Sequence, residues 1–461
     1  VYGQYFTSDA IATFMSSLFE YKDDIKLLDA GAGIGSLTSA FLKRAVENNC
    51  NINVDLWEID SNLIEHLEKT INQWISSANI KINKRIFVND FIDAASYLIE
   101  MGGDSQYSHA ILNPPYKKIK SDSEHKKWLR KAGVETVNLY SAFVALTIKL
   151  LKDKGELVAI LPRSFCNGAY YLSFRNLLLN ETAIRQIHLF HSRNHAFKDD
   201  NVLQENIIIH LVKNTKTKEV IISTSSDSTF TDYEEQIFDV SSIVDLGSKN
   251  RFINIPTNQY NHELPDLCTY SLNDIGLEVS TGPIVDFRMK KYLHFDISSE
   301  SVPVLYPFNF TKGQFQWPLK HKKPNAIIKT REVNQFLMPN DNYVLVKRFS
   351  SKEEKKRLVA FYLPSDALAT EEVGFENHLN VFHFGKKGLD EYLARGLTIF
   401  LNSTMMDNRF RVFSGHTQVN ATDLRALRYP SKEKLLELGK KSINYPNTQS
   451  VIDSLVGETI K

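Results

Sequence analysis

The tetrapeptide Asn113-Pro114-Pro115-Tyr116 directly follows an apolar run at residues 109–112 that is typical of a buried strand. Its residue types suit chemistry on an exocyclic amine of a nucleobase, which is a poor nucleophile because its lone pair is delocalised into the ring. Two acceptors aimed at the amine hydrogens favour a pyramidal nitrogen with developing positive charge. The side-chain oxygen of Asn113 and the carbonyl of Pro114 can supply them. Proline rigidity fixes that carbonyl, and Tyr116 offers a flat face on which a base can stack.

A glycine turn upstream predicts a ligand-binding loop. Gly31, Gly33 and Gly35 follow an apolar run at residues 27–30 and precede a helical pattern. Glycines let the backbone approach a ligand closely, and the following helix presents free N–H groups. The spacing differs from the G-x-G-x-x-G of dinucleotide folds because residue 36 is Ser, which disfavours an oxidoreductase without excluding it. Together with the tetrapeptide, the turn predicts methyl transfer from S-adenosylmethionine to a planar nitrogen.

Acidic residues follow the next two predicted strands. Glu58 lies near the end of the run 54–59, where a carboxylate suits the two hydroxyls of a ribose. Asp90-Phe91 follows the run 85–88, where the carboxylate can accept from an exocyclic amine and the ring can pack on a purine. Asp90 is equally consistent with an ordinary helix cap. These residues complete a predicted cofactor pocket.

The elements that must position these residues alternate between strands and helices. Such alternation predicts an α/β fold with a parallel sheet covered on both faces, which is a Rossmann-like domain over residues 1–215. The last two strands are expected to form an antiparallel edge pair. Residues 216–281 are predicted to be a connecting region, and residues 282–461 a mixed α+β domain. Strands are predicted at 26–30, 54–59, 85–88, 109–112, 157–161, 187–190 and 207–212, and helices at 36–48 and 63–76.

Composition narrows the class of protein. A chain of 461 residues favours two domains. The net charge of only +1 does not indicate a nucleic-acid partner, so any contact with phosphates must come from local clusters of basic side chains. No apolar segment approaches the length of a membrane span. Cys50, Cys166 and Cys268 are far apart, which argues against a zinc site or a disulfide framework and fits a reducing cytoplasm.

In the order of its motifs the chain resembles the gamma group of S-adenosylmethionine-dependent adenine-N6 DNA methyltransferases. In that group the cofactor motifs come first and the target-recognition domain comes last. The resemblance implies a catalytic role for Asn113, Pro114, Pro115 and Tyr116, and stacking of Phe197, in His195-Ala196-Phe197, on a flipped base. It also implies cofactor contacts from Tyr5, Phe6, Thr7, Asp29, Gly31, Gly33, Glu58, Asp90 and Phe91.

The second half resembles the C-terminal domain of PstI/BsuBI-like modification methyltransferases at residues 377–380, 400–403 and 413–423. Its basic side chains suit phosphates, and its polar side chains suit base edges or backbone positioning. Taken alone, any single cluster is better explained as a solvated face. The residues predicted to bind DNA are Lys117, Lys118, Lys320, Lys322, Lys323, Lys347, Arg348, Arg409, Arg411, His416, Thr417, Gln418 and Asn420.

The function expected from these features is site-specific methylation of adenine N6 in duplex DNA, on a flipped-out base, within a restriction–modification system. No carboxylate-rich nuclease motif is evident, so we expect a stand-alone methyltransferase beside a separately encoded endonuclease, without a stable complex. We also expect it to be a monomer in the bacterial cytoplasm. The alternatives are an RNA methyltransferase and a catalytically silent, sequence-specific DNA-binding subunit. Protein-glutamine methyltransferases share the tetrapeptide but are expected to lack a large C-terminal domain.

Overall fold

The computed structural model describes residues 7–22, 24–103, 106–190, 205–244, 249–256, 267–311, 314–350, 354–414, 418–443 and 448–460. The chain divides into two compact units, Val1–Thr257 and Asn258–Lys461.

A nine-stranded sheet organises the first unit, in the order β3-β2-β1-β4-β5-β7-β6-β8-β9. Strands β1 to β5 are parallel, whereas β7 runs antiparallel to both β5 and β6. Strand β8 is parallel to β6, and β9 is antiparallel to β8. The strands are β1 (Ile25–Ala30), β2 (Ile52–Trp57), β3 (Ile82–Phe87), β4 (Tyr107–Leu112), β5 (Leu151–Pro162), β6 (Thr182–Phe190), β7 (Asn206–Lys213), β8 (Glu219–Ser225) and β9 (Glu234–Asp239).

Helices cover both faces of this sheet, as predicted. Successive strand residues point to opposite faces, so Leu27 packs with α1, α2 and α3, while Leu28 packs with α4 and α6. Helix α6 lies in the core, with almost every side chain buried. The helices are α1 (Asp9–Ser17), α2 (Ser36–Glu47), α3 (Ser61–Ser77), α4 (Phe91–Glu100), α5 (Glu124–Lys131), α6 (Leu139–Leu150), α7 (Leu172–Glu181) and the short α8 (Val240–Ile243).

The predicted boundary of the first domain is wrong. β6 and β7 pair antiparallel as expected, but they are not the edge, because β8 and β9 continue the sheet beyond β6. Both strands and α8 fall within the predicted connecting region 216–281. Buried Val220 and Ile222 add β8 to the core, and β8 pairs with the backbone groups that β6 would otherwise leave open. The two units divide at Thr257 instead.

The second unit is mixed α+β, as predicted. Strands β10, β20, β17 and β18 form an antiparallel sheet, the five-stranded sheet has the order β11-β15-β12-β19-β16, and β13 pairs with β14. The strands are β10 (Glu278–Thr281), β11 (Leu293–His294), β12 (Ser301–Leu305), β13 (Phe310–Thr311), β14 (Gln314–Phe315), β15 (Ala326–Ile328), β16 (Leu337–Pro339), β17 (Tyr343–Lys347), β18 (Ala360–Leu363), β19 (Glu372–Phe375) and β20 (Leu379–His383). The helices are α9 (Asp286–Met289), α10 (Arg331–Asn334), α11 (Glu391–Leu401), α12 (Thr404–Phe413), α13 (Ala421–Ala426), α14 (Lys432–Ser442) and α15 (Gln449–Thr459).

Two glycines allow α11 and α14 to pack at close range. A Cβ atom on Gly396 of α11 would lie 1.9 Å from the carbonyl oxygen of Leu435. A Cβ atom on Gly439 of α14 would lie 1.8 Å from the carbonyl oxygen of Tyr392. The obstacles are backbone atoms, so side-chain movement cannot relieve the overlap.

We expect Gly396→Ala to destabilise the protein by about 2 kcal/mol or more, because overpacking here requires the helices to separate. Gly457→Ala is the matched control: this glycine of α15 is exposed, and its added Cβ would meet nothing within 4 Å. Helix propensity alone should make that change neutral or stabilising by up to about 1 kcal/mol. Urea unfolding of both variants gives the comparison, and equal stability of the two would contradict this account of the α11–α14 contact.

Candidate active site

A cavity opens at the carboxyl edge of the first unit's parallel strands. The space within it is about 820 Å³ when the open mouth is included. Carboxyl ends of parallel strands meet at one edge, so the residues after β1, β2, β3 and β4 converge here. The lining residues are Gly31, Gly33, Trp57, Glu58, Ile59, Leu63, Asn89, Asp90, Phe91, Ile92, Asn113, Pro115, His125, Leu139 and Phe143.

The glycine turn after β1 has two distinct requirements. Gly33 has a φ of +57°, and a Cβ there would meet nothing within 4 Å, so its backbone borders open space in the cavity. Gly35 has a φ of +87°, and a Cβ there would lie 2.9 Å from Leu67 Cδ1 on α3. Gly33 therefore leaves room for a ligand, whereas Gly35 allows helix packing.

Glu58 ties the glycine turn to the end of β2. Glu58 is only 2% exposed, and its Oε2 accepts a hydrogen bond from the Gly33 N–H at 2.8 Å. Its Oε1 accepts from the Asp60 N–H at 2.7 Å. These two backbone N–H groups hold the carboxylate in a fixed orientation where it lines the cavity.

Asp29, at the end of β1, hydrogen-bonds to α2 on the far side of the glycine turn from the cavity. It is fully buried and does not line the cavity, which contradicts the predicted direct contact with a ligand. Its Oδ2 accepts from the Thr38 hydroxyl at 2.6 Å, and no hydrogen bond to its Oδ1 is found in the described part of the chain. Burial raises the pKa of Asp29 to about 7.

Asp90 and His125 form a pair at the end of the cavity that follows β3. Asp90 caps α4, as its Oδ1 accepts from the Ile92 N–H at 2.8 Å. Its Oδ2 lies 2.7 Å from His125 Nε2. Burial opposes ionisation, but the His125 hydrogen bond and charge, with the helix N–H groups, lower the pKa of Asp90 below its usual value. The helix-cap and ligand-contact readings of Asp90 are therefore compatible.

Aromatic rings form the apolar walls. The rings of Phe91 and Phe143 are 5.1 Å apart, and Trp57 meets Phe91 edge-on at 5.6 Å. Trp57 also stacks on Phe87 at 4.3 Å. The sequence analysis found Phe91 but missed Phe143 and His125, since only tertiary packing brings α5 and α6 to this cavity. It also missed Trp57, which directly precedes Glu58 at the end of β2.

Asn113 and Tyr116 interact at the end of β4. The Asn113 amide donates from Nδ2 to Thr7 Oγ1 at 2.9 Å, which fixes the direction of its oxygen. Tyr116 Oη lies 3.3 Å from Asn113 Oδ1 and 3.2 Å from the Ile160 carbonyl oxygen, and the two acceptors share its single hydroxyl hydrogen. Pro115 lines the cavity and Pro114 is buried. Thr7, predicted to touch a cofactor, therefore contacts the tetrapeptide. Tyr5, Phe6 and Phe197 lie outside the described residues.

The lysines predicted to bind DNA fall into two groups. Lys117 and Lys118 are exposed directly after Tyr116, and Lys320 and Lys322 are exposed in the second unit. By contrast, two others already have ion-pair partners. These pairs are Lys323 with Asp286, and Lys347 with Glu354 at 3.0 Å.

The structure assigns internal roles to most of the other predicted DNA contacts. The Arg411 side chain is 8% exposed and pairs with Asp407 at 2.8 Å, which contradicts its predicted phosphate contact. Burial lowers the pKa of Arg409, and Arg348 donates to the Asn377 carbonyl at 3.1 Å. In the remaining positions, Asn420 precedes α13 and donates from its backbone N–H to Asp423 Oδ2 at 2.9 Å, and Gln418 is half-buried. His416 and Thr417 lie outside the described residues.

No group of three or more His, Cys, Asp or Glu residues in the described ranges is arranged to hold a metal ion. Among the helices that the structure describes, none is both long and apolar enough to cross a membrane.

Comparison with known proteins identifies relatives along the whole chain. Residues 15–197 match the family described as Eco57I restriction-modification methylase. The Type II methyltransferase M.BsuBI of Bacillus subtilis is 48% identical over 472 residues, covering 99% of this chain and 94% of that protein. The Type II methyltransferase M.PstI of Providencia stuartii is 42% identical over 471 residues, covering 100% of this chain and 93% of that protein.

Solved structures share the fold. A nuclease-deletion mutant of the Type ISP restriction-modification enzyme LlaGI matches with a TM-score of 0.54 at 12% identity, covering 95% of this chain and 46% of that one. The type IIG restriction endonuclease BpuSI matches with a TM-score of 0.50 at 13% identity, covering 100% of this chain and 64% of that one. The full-length relatives confirm the PstI/BsuBI-like resemblance, while the gamma-group subtype stays a prediction. The chain therefore belongs to the Type II DNA methyltransferases of restriction–modification systems.

Proposed function

We propose that this protein transfers a methyl group from S-adenosylmethionine to N6 of an adenine flipped out of duplex DNA. One observation carries the proposal: Asn113 and Pro115 line the same cavity as Gly33, Glu58 and Asp90. A cofactor-type site and an amine-activating site therefore share one space. We further propose that it works as a monomer, as the modification enzyme beside a separate endonuclease.

The cavity residues fit S-adenosylmethionine. The open space at Gly33 accommodates a close backbone approach, and the fixed Glu58 carboxylate matches a ribose diol. Asp90 offers an acceptor to an adenine amine, and the Phe91 and Phe143 rings offer apolar surface in the same cavity. When bound, this cofactor supplies an electrophilic methyl group on a sulfonium.

The end of β4 provides acceptors for the nitrogen that is methylated. Asn113 Oδ1, aligned through Thr7, and the Pro114 carbonyl accept from the amine hydrogens and stabilise its developing positive charge. The Tyr116 ring, with its Oη bonded to Asn113 and to the Ile160 carbonyl, offers the stacking face for the base. An amide oxygen has two lone pairs, so the contact with Tyr116 does not by itself prevent Asn113 from accepting from the base.

DNA from bacterial cells that express the wild-type protein should contain N6-methyladenine at one recurrent sequence, as read by single-molecule sequencing. Asn113→Ala should lower turnover by about 100-fold or more, as expected when a positioned acceptor at a charge-developing atom is lost. Its affinity for S-adenosylmethionine should stay within a few-fold of wild type. Modified cytosine, RNA as the only methylated substrate, or undiminished turnover in the variant would each reject the proposal.

Thr7→Val tests whether residue 7 serves the catalytic amide or the cofactor. Loss of the Asn113–Thr7 hydrogen bond should lower kcat by roughly 5- to 10-fold, which corresponds to about 1 kcal/mol. Thr7→Ser restores the hydroxyl and should restore kcat. Calorimetry should give an unchanged Kd for S-adenosylmethionine in both variants. A raised Kd with normal kcat in Thr7→Val would instead support the cofactor contact predicted for Thr7 from the sequence.

Glu58→Gln should weaken S-adenosylmethionine binding by roughly 10-fold or more, because hydrogen bonds to a charged group contribute about 1.5–3 kcal/mol each. The control is Glu65→Gln, an exposed glutamate on α3 that does not line the cavity. Calorimetric titration of both variants makes the comparison. Wild-type affinity in the Glu58 variant would exclude the assigned ribose contact.

A further inference from the structure

His125 contacts the cavity from an element that carries no known part of the active site. It lies in the first turn of α5, a helix that begins after the Ser123 cap and packs against α4. Its Nε2 is 2.7 Å from Asp90 Oδ2, and both residues line the cavity. The side chains are 31% exposed for His125 and 25% exposed for Asp90, so a ligand in the cavity would reduce the solvent around the pair.

The Asp90 carboxylate is held at both oxygens. Oδ1 accepts from the Ile92 N–H at 2.8 Å and, more weakly, from the Asp93 N–H at 3.4 Å. An ionised carboxylate only accepts, so His125 Nε2 carries the hydrogen that joins it to Oδ2. Removing that donor would leave the carboxylate with its helix-cap bonds alone, and rotation about them would be less restricted.

The His125 ring is itself held in place. It meets Trp128, one turn further along α5, edge-on with ring centroids 5.5 Å apart. Trp128 packs against the apolar core of the first unit. The chain of contacts therefore runs from the core through Trp128 and His125 to the carboxylate that faces the cavity.

We propose that His125 is a positioning residue for cofactor selectivity, fixing Asp90 Oδ2 where it accepts from the exocyclic amine of a purine nucleoside. This inference rests on the proposed use of S-adenosylmethionine. It assigns to α5 a part in distinguishing a 6-amino purine from a 6-oxo purine, since an oxo group would place its lone pairs against the carboxylate. His125 acts through Asp90 and is not assigned contact with the reacting atoms.

The test measures binding of two ligands, S-adenosylhomocysteine and S-inosylhomocysteine, which differ at the purine 6-position. Calorimetry on the full chain should show that wild type prefers the adenosyl ligand by about tenfold or more, as expected where a polar site loses its matching donor. In His125→Phe, which keeps a ring against Trp128 but lacks the donor, the preference should fall to within about threefold. His125→Gln supplies an N–H at a similar reach and should restore the preference.

The control is Glu124→Gln, an exposed neighbour in the same turn of α5, which should leave both affinities unchanged. If His125→Phe weakens both ligands equally or weakens neither, His125 has no selective role and the proposal is wrong. His125→Leu replaces the phenylalanine variant should that variant fail to fold. Failure of wild type to bind either ligand would reject the proposed function, and the role of His125 with it.

Discussion

The Glu58 carboxylate joins two strand ends on which the whole site depends. A buried charge must be compensated by hydrogen bonds, and backbone N–H groups supply two of them here, one in the turn after β1 and one at the start of α3. The glycine turn, the end of β2 and the α3 cap are therefore fixed relative to one another before any ligand binds. Their rigidity defines one wall of the cavity.

The ends of β3 and β4 each supply residues suited to a different ring-shaped ligand. The end of β3 supplies Asp90 and Phe91, which are suited to a flat, amine-bearing ring. The end of β4 supplies Asn113 and Tyr116, which are suited to a second such ring. Two nucleobase-like ligands can thus be recognised by acceptors and aromatic faces at the ends of two strands that β2 and β1 separate in the sheet. Because all four strands are parallel, their carboxyl ends meet at one edge and bring the two sites together.

Short-range patterns made part of this site predictable. The glycine turn, Glu58 and the tetrapeptide each follow an apolar run directly, so local sequence places them at strand ends. His125 could not be identified in this way, because Glu124-His125-Lys126-Lys127 has the composition of a solvated helix face. The prediction that Arg411 contacts DNA was wrong for a different reason. A basic cluster in the sequence does not reveal that the guanidinium is buried and pairs with Asp407, one helical turn away. Strands β8 and β9 were missed because polar segments surround them.

The hydrogen bond between Thr7 and Asn113 spans 106 positions of sequence. Thr7 is held by the start of α1, whose Ile11 and Met15 pack in the core on one face of the sheet. The orientation of the Asn113 side chain therefore depends on a residue far outside the tetrapeptide. A chimaeric enzyme that received residues 113–116 without the segment leading into α1 would carry the right side chains with an amide free to turn its nitrogen, rather than its oxygen, toward the substrate.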